Sequence, residues 1–162
     1  MPANILVVDD EKNIREGLNR ALSLEKFRVF LASDGAEALK ILSNEDIDLM
    51  IADLKMPKMS GEELVSRSMK KYPDMPVIIL TGHGTVENAV ETMRLGAYDF
   101  LTKPLNLDKL LLIINRALEK KKLEIENREL RQRINERYMF NNIIGRSPAI
   151  EKVFDVVKQV AP

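Results

Sequence analysis

The sequence predicts a doubly wound α/β fold, in which helices cover both faces of a central sheet of five parallel strands. Short apolar runs alternate with segments of helical periodicity through the first hundred residues. These runs are apolar throughout rather than at alternate positions, as expected for strands that are buried on both faces. The connections are short, and five strand-then-helix units in succession favour a parallel sheet.

The elements follow from the apolar pattern in chain order. The predicted strands are Ile5–Val8, Val29–Leu31, Ile47–Ala52, Val77–Leu80 and Tyr98–Leu101. The helical stripes are Ile14, Leu18, Ala21 and Leu22; Ala38, Leu39 and Leu42; Leu64, Val65 and Ser68; Val86, Ala89, Val90 and Met93; and Leu107, Leu110, Leu111, Ile114 and Leu118. Ser60 and Glu63 have capping-box spacing, Gly96 is placed to end the fourth helix, and the last helix begins near Asn106.

Composition limits the classes of protein that remain possible. A chain of 162 residues has room for one domain of ordinary size and an appendage. Without cysteine it has neither disulfides nor thiolate metal sites. No apolar run approaches the roughly 18–20 residues of a membrane span, and the start of the chain lacks the features of a signal peptide. We therefore expect a cytoplasmic protein with no membrane association.

Polar residues follow the predicted strands at their carboxyl ends, where open α/β sheets bind ligands. Asp9 and Asp10 follow the first strand, Asp53 the third, Thr81 the fourth and Lys103 the fifth. Three carboxylates held together repel one another, so a cation is required. Oxygen ligands from a few carboxylates suit Mg²⁺, which keeps several waters and binds phosphate oxygens. The sequence thus predicts a magnesium site at this edge.

This set of side chains suits phosphoryl transfer. The reaction needs in-line positioning and neutralisation of the phosphoryl oxygens, for which Lys103 supplies a positive charge and Thr81 a hydroxyl donor. A carboxylate then has to be the nucleophile, and Asp53 at the tip of the central strand is the candidate. A carboxylate nucleophile forms an acyl phosphate, which is a covalent intermediate.

Four motifs in this order resemble the response-regulator receiver family, over roughly residues 3–120. They are Val7-Val8-Asp9-Asp10-Glu11, Asp53-Leu54-Lys55-Met56-Pro57 with Gly61, Thr81-Gly82-His83-Gly84 and Lys103-Pro104. The resemblance implies a flavodoxin-like (βα)5 receiver fold with Asp53 as phosphoacceptor. It also implies that Asp10 binds Mg²⁺ directly, Asp9 mostly through water, and Lys55 through its backbone carbonyl.

The same resemblance implies further roles. Thr81 and Lys103 would contact the phosphoryl group, and Phe100 would be the aromatic switch residue that changes rotamer. The peptide bond between Lys103 and Pro104 would be cis. The phosphodonor would be a sensor histidine kinase, and the chain would not be an enzyme beyond its own phosphorylation.

A long helix is expected after the receiver, which we assign to residues 1–120. Residues 121–138 are predicted to be a coiled-coil linker, with Leu123 and Leu130 at d positions and Asn127 and Ile134 at a positions. This seam predicts a parallel homodimer. A solvated linker helix stays open as the alternative, because Lys120 falls at an a position and Ile125 lies outside the seam.

Residues 139–162 resemble the beginning of the AAA+ ATPase domain of sigma-54-dependent transcription activators of the NtrC type. The motif Gly-x-x-x-x-Gly-Lys-[Ser/Thr], which binds nucleotide phosphates, is missing from the sequence. We therefore expect a truncated ATPase domain. Contacts with DNA and with sigma-54 RNA polymerase would belong to domains absent from this chain.

Two other functions are compatible with parts of the pattern. An aspartyl-nucleophile phosphatase would carry a second acid two residues after Asp53, where this chain has Lys55. A dimerisation module with a non-reactive receiver would have no need for the complete set of acids, threonine and lysine. The expected function is therefore a phosphorylation switch that acts through the linker.

Overall fold

The computed structural model describes residues 2–82, 90 and 93–145, with side chains described as far as residue 135. In chain order the elements are β1 (Asn4–Val8), α1 (Lys12–Leu24), β2 (Arg28–Ala32), α2 (Gly35–Asn44), β3 (Leu49–Asp53), α3 (Gly61–Lys71), β4 (Val77–Thr81), β5 (Asp99–Thr102) and the C-terminal helix (Leu107–Gly145). The chain divides into two compact units, Met1–Lys121 and Lys122–Pro162. The predicted start of an ATPase domain lies largely outside the described residues, as do Val86 and Ala89.

The five strands form one parallel sheet in the order β2-β1-β3-β4-β5. The predicted α/β fold class is thereby confirmed. The chain leaves β1 for the outer strand β2 and returns to β3 on the other side of β1. This change of direction opens a crevice between the carboxyl ends of β1 and β3, the usual place for a ligand in such sheets.

The sheet is buried on both faces because successive side chains of each strand point in opposite directions. One face packs under α2 and α3 and the other under α1 and the first part of the C-terminal helix. The first core includes Leu6, Val8, Ala38, Leu42, Leu64 and Val65. The second core includes Ile5, Val7, Leu18, Leu22, Leu110 and Ile114. The alternation explains why the strands are apolar throughout.

Several boundaries differ from the sequence prediction. The third strand begins at Leu49 rather than Ile47, because Asn4 holds the residues before it through hydrogen bonds to Asp46 and Asp48. The fifth strand is shifted one residue, to Asp99–Thr102. The C-terminal helix extends to Gly145, beyond the predicted linker at residues 121–138, since no proline or glycine interrupts it earlier.

Among the residues that the structure describes, three members of the predicted helical stripes are exposed. Val90 and Met93 are each 47% exposed, so this part of the fourth predicted stripe does not lie in the core. Leu107, in the first turn of the C-terminal helix, is 41% exposed, whereas Leu110 and Ile114 further along are fully buried. Apolar periodicity located the buried face of the C-terminal helix but not the point at which burial begins.

Helix ends are fixed by local hydrogen bonds. The Ser60 hydroxyl accepts from the Glu63 amide at 3.2 Å, which is half of the predicted capping box. The Glu63 carboxylate instead pairs with Arg67 at 2.6 Å. Gly96 has a φ of +92°, the left-handed conformation expected of a glycine that ends a helix. Asn106 caps the C-terminal helix by accepting from the Lys109 amide at 2.9 Å.

Lys121 holds the C-terminal helix against the amino-terminal edge of the sheet. Its ammonium lies 3.0 Å from a carboxylate oxygen of Asp48 and 3.2 Å from the Asp48 carbonyl. The other Asp48 oxygen accepts from the Asn4 amide at 2.9 Å, which ties the same carboxylate to β1. Within the described residues, no helix has both the length and the apolar composition that crossing a membrane requires.

We predict that Lys121→Met loosens this end of the first unit. Amide hydrogen exchange should become faster around Asp48 and in the turn that ends at Lys121, because two hydrogen bonds are lost. The effect on global stability should be small, within about 1 kcal/mol for a partly exposed pair. Lys122→Met is the matched control, since Lys122 is largely exposed. Equal exchange in both variants would contradict the prediction.

Candidate functional site

Three carboxylates meet at the crevice between β1 and β3. Asp53 is the last residue of β3, and Asp9 directly follows β1, whose Val8 lies beside Ala52 of β3. Asp9 is fully buried and Asp53 is 5% exposed, whereas Asp10 is exposed. One oxygen from each of Asp9, Asp10 and Asp53 lies within 4.8 Å of the others. The structure therefore brings together the three acids that the sequence singled out.

Lys103 neutralises part of this charge. Its ammonium donates to Asp53 at 2.8 Å and to Asp9 at 2.9 Å, and it also reaches Glu11 at 3.2 Å. The lysine follows β5, and its amide donates to the Thr81 carbonyl at 2.8 Å, which fixes it to the end of β4. The peptide bond to Pro104 is cis, as the resemblance implied.

Burial and ion pairing shift the pKa values in this cluster. Burial raises the pKa of Asp9 above its ordinary 3.8, and hydrogen bonds from Lys103 and the Glu11 amide offset only part of that rise. Burial opposes the charged form of Lys103 as well. Its hydrogen bonds to Asp53 and Asp9 outweigh that effect and raise the pKa of Lys103 above the usual 10.5. Lys103 is thus a permanent cation at neutral pH.

Backbone groups orient the acids. One oxygen of Asp9 accepts from the Glu11 amide at 2.8 Å, and one oxygen of Asp53 accepts from the Lys55 amide at 3.2 Å. The guanidinium of Arg15 donates to the carbonyls of Asp9 and Asp10 at 2.6 and 2.9 Å. Sequence reasoning missed Arg15, because a bond to a backbone carbonyl leaves no pattern among side chains.

Of the remaining predicted residues, Thr81, Phe100 and Lys55 lie in the described part of the chain. Thr81 ends β4 and is 5% exposed, next to Thr102 of β5. Phe100 is half-buried and packs against the core beneath α2 and α3. Lys55 is exposed at the start of the β3–α3 loop. His83 and Gly84 fall outside the described residues.

A comparison with models of known protein families shows which family this chain belongs to. The family model described as the response regulator receiver domain matches residues 5–115. The chain belongs to the response regulator receiver family. Domains of this family typically bind Mg²⁺ at a cluster of aspartates, and the oxygen ligands of Asp9, Asp10 and Asp53 fit such an ion.

Individual relatives show which response regulators this chain is similar to. The regulatory protein AtoC of Escherichia coli is 36% identical over 157 residues, which are 97% of this chain and 33% of AtoC. The C4-dicarboxylate transport transcriptional regulatory protein DctD of Rhizobium meliloti is 34% identical over 98% of this chain and 34% of its own length. The predicted relationship with NtrC-type activators is thus confirmed over the receiver region. The chain spans about a third of the length of these curated relatives.

Solved structures agree with the fold. A receiver domain protein from Clostridium thermocellum has a TM-score of 0.71 at 41% identity, over 75% of this chain and 98% of its own. NtrX from Brucella abortus, solved in complex with ADP, has a TM-score of 0.77 at 35% identity, over 100% of this chain and 35% of its own. The flavodoxin-like receiver fold expected from the sequence is therefore confirmed.

Gly61 allows α3 to start directly against the backbone of Asp53 and Leu54. A Cβ added at Gly61 would collide with the Asp53 carbonyl oxygen and would lie 2.6 Å from the Leu54 Cα. The Gly61 amide also donates to the Leu54 carbonyl at 2.9 Å. These atoms belong to the backbone and cannot turn aside as a flexible side chain would. Any side chain at this position must displace the backbone of Asp53 and Leu54 at the end of β3.

We predict that Gly61→Ala lowers the free energy of unfolding by about 1–3 kcal/mol, the usual range for overpacking. Urea titration measures the change. Gly17→Ala is the matched control, because an added Cβ there meets no atom within 4 Å. Alanine at this helical position should raise stability by about 0.5–1 kcal/mol. Equal stability of Gly61→Ala and the unmodified chain would show that the loop yields freely.

We predict a loss of stability at alkaline pH that depends on Lys103. Since its pKa is raised in the folded chain, its contribution is complete below about pH 10.5 and declines as the pH rises towards the folded value. With EDTA present, the unfolding free energy should fall more steeply between about pH 10 and 11.5 in the unmodified chain than in Lys103→Met. The control Lys40→Met replaces an exposed lysine and should keep the pH dependence of the unmodified chain. If Lys103→Met also keeps that pH dependence, the ion pairs of Lys103 with Asp9 and Asp53 do not contribute to stability.

Proposed function

We propose that this chain is a cytoplasmic phosphorylation switch that accepts one phosphoryl group on Asp53 from a sensor histidine kinase. The observation that carries the proposal is the contact of the Lys103 ammonium with Asp53 at 2.8 Å, beside two further aspartates whose oxygens lie within 4.8 Å. A nucleophilic carboxylate, a fixed cation and a cluster of oxygen ligands are the parts that phosphoryl transfer to a carboxylate requires.

In the proposed reaction, a carboxylate oxygen of Asp53 attacks the phosphorus atom of a phosphohistidine. The new bond is O–P, the bond that breaks is P–N, and its electron pair stays with the imidazole of the donor. The Lys103 ammonium offsets negative charge on the phosphoryl oxygens, and the Thr81 hydroxyl donates a hydrogen bond to one of them. Asp9, Asp10, Asp53 and the Lys55 carbonyl would hold Mg²⁺, whose charge would neutralise the phosphoryl group. The chain would catalyse no reaction beyond its own phosphorylation.

We propose that Thr81 and Phe100 then relay the modification from the receiver, residues 1–120, to the linker, residues 121–138. A ligand or modification shifts a two-state equilibrium only when it interacts differently with the two states. A phosphoryl group meets this condition, since it adds charge and hydrogen-bond acceptors next to Thr81. The output would be a sigma-54-type AAA+ activator that begins near residue 139. Contacts with polymerase and DNA would lie in other domains.

The linker segment has an apolar stripe that suits a second copy of the chain. Leu123, Leu130 and Ile134 are 58%, 57% and 52% exposed, and the exposed Asn127 lies among them at heptad spacing. An Asn at an a position favours the two-stranded parallel register, because facing Asn side chains satisfy each other. These residues support a homodimer through this seam.

The alternative of an aspartyl-nucleophile phosphatase finds less support. Lys55 occupies the position of the second acid, and its exposed side chain offers no carboxylate as a proton donor or acceptor. A non-reactive dimerisation module would not need Asp53 and Asp9 to remain buried against Lys103. Burial of such ion pairs rarely adds stability, so their presence favours a function in chemistry.

We predict that acetyl phosphate labels the unmodified chain once, in a reaction that requires Mg²⁺. Asp53→Asn should abolish labelling, because an amide is a poor nucleophile, and Asp10→Asn should weaken Mg²⁺ binding. Intact-mass spectrometry measures the label and calorimetry the affinity. The exposed Glu62→Gln on α3 is the control and should be labelled normally. Labelling that persists in Asp53→Asn would show that another residue accepts the phosphoryl group.

We predict that the unphosphorylated chain sediments as a dimer and that Leu130→Asp yields monomers. A charge at the seam would have to be buried, at a cost of several kcal/mol. Ile125→Asp is the control, since it introduces the same charge on the same helix outside the seam. Asn127→Leu should strengthen association and relax its specificity for two strands. A monomer of the unmodified chain at tens of micromolar would mean that the segment is a solvated helix.

A further inference from the structure

Arg15 binds the backbone of the acidic loop from the first turns of α1. Its Nη1 donates to the Asp9 carbonyl at 2.6 Å and to the Asp10 carbonyl at 2.9 Å. The side chain is partly buried, unlike the exposed Arg20 further along the same helix. One guanidinium nitrogen thus bridges two successive peptide groups, which restrains the orientation of both.

These two carbonyls belong to the residues whose carboxylates face the crevice. Asp9 is also held by the Glu11 amide and by Lys103. Asp10 is exposed, so packing contributes little to its orientation, and the bond from Arg15 to its carbonyl is a direct tie to α1. Arg15 thus restrains the peptide groups that carry both acids.

We infer that Arg15 is a positioning residue for the divalent cation: it holds the loop so that Asp9 and Asp10 present their oxygens together. This inference rests on the proposed function, because it concerns the Mg²⁺ ion on which phosphorylation depends. Groups that orient metal ligands without touching the ion commonly change metal affinity by about 10- to 100-fold when they are replaced.

The positive charge of Arg15 acts on Mg²⁺ affinity in the direction opposite to its positioning of the loop. A guanidinium bound to the loop that carries Asp9 and Asp10 lowers the attraction of the site for a dication, so removing the charge alone should strengthen Mg²⁺ binding. Positioning predicts weaker binding when Arg15 is replaced, and charge predicts stronger binding. The sign of the change therefore separates the two effects.

The test compares Mg²⁺ affinity, by isothermal titration calorimetry on the whole chain, for Arg15→Met and Arg20→Met. Methionine matches arginine in helix propensity, and both variants lose one positive charge from α1. We expect Arg15→Met to bind Mg²⁺ about 10- to 100-fold more weakly and Arg20→Met to bind it as the unmodified chain does. Labelling by acetyl phosphate should fall at limiting Mg²⁺ and recover at saturating Mg²⁺. Unchanged or tighter binding in Arg15→Met would overturn the inference.

A second measurement separates positioning from a role in folding. Urea unfolding in EDTA should show that Arg15→Met is folded under the titration conditions, and Arg15→Gln provides a second uncharged variant. If neither folds, Arg15 serves the fold and the inference is wrong. If the unmodified chain binds no Mg²⁺ and takes up no label, both the proposed function and the role of Arg15 are refuted. If the unmodified chain does both and Arg15→Met matches it, only the role of Arg15 is refuted.

Discussion

The fold and its chemistry depend on one ion pair network, in which a single ammonium contacts two buried carboxylates. Asp9 and Asp53 belong to neighbouring strands, and without Lys103 their charges would face each other in a space with little water. Removing one partner of a buried pair leaves an uncompensated charge and costs about 3–5 kcal/mol. Lys103 therefore has to stay in place as long as Asp9 and Asp53 are both charged.

Sheet order explains why a lysine supplies this charge. The cation comes from the end of β5, and β4 lies between β5 and the strand that ends in Asp53. Neighbouring strands lie about 4.8 Å apart, so the ends of β5 and β3 are roughly 10 Å apart. The long, unbranched side chain of Lys103 spans this gap together with the Asp53 carboxylate and the hydrogen bond between them. The bond from the Lys103 amide to the Thr81 carbonyl fixes where the lysine side chain starts.

Much of the fold and of the cluster could be predicted, because parallel strands buried on both faces leave continuous apolar runs and polar residues at their ends. Asp53 and Lys103 are 50 residues apart, yet strand order alone brings them to one edge. What the sequence could not show were bonds that depend on backbone atoms or on distant partners. Arg15 binds carbonyls, and Lys121 meets Asp48 across 73 residues, so neither contact has a local pattern. Exposure of Val90 and Met93 was missed because periodicity identifies a face without showing what covers it.

The alternation of side chains along β3 limits how this site can evolve. Ala52 and Ile51 point into opposite cores, and Asp53 continues that alternation at the tip of the strand. Deleting one residue upstream would move the carboxylate into the place of Ala52, inside the apolar layer beneath α2 and α3. An insertion or deletion within β3 would therefore remove the carboxylate from the site, whereas a substitution that keeps the alternation would not.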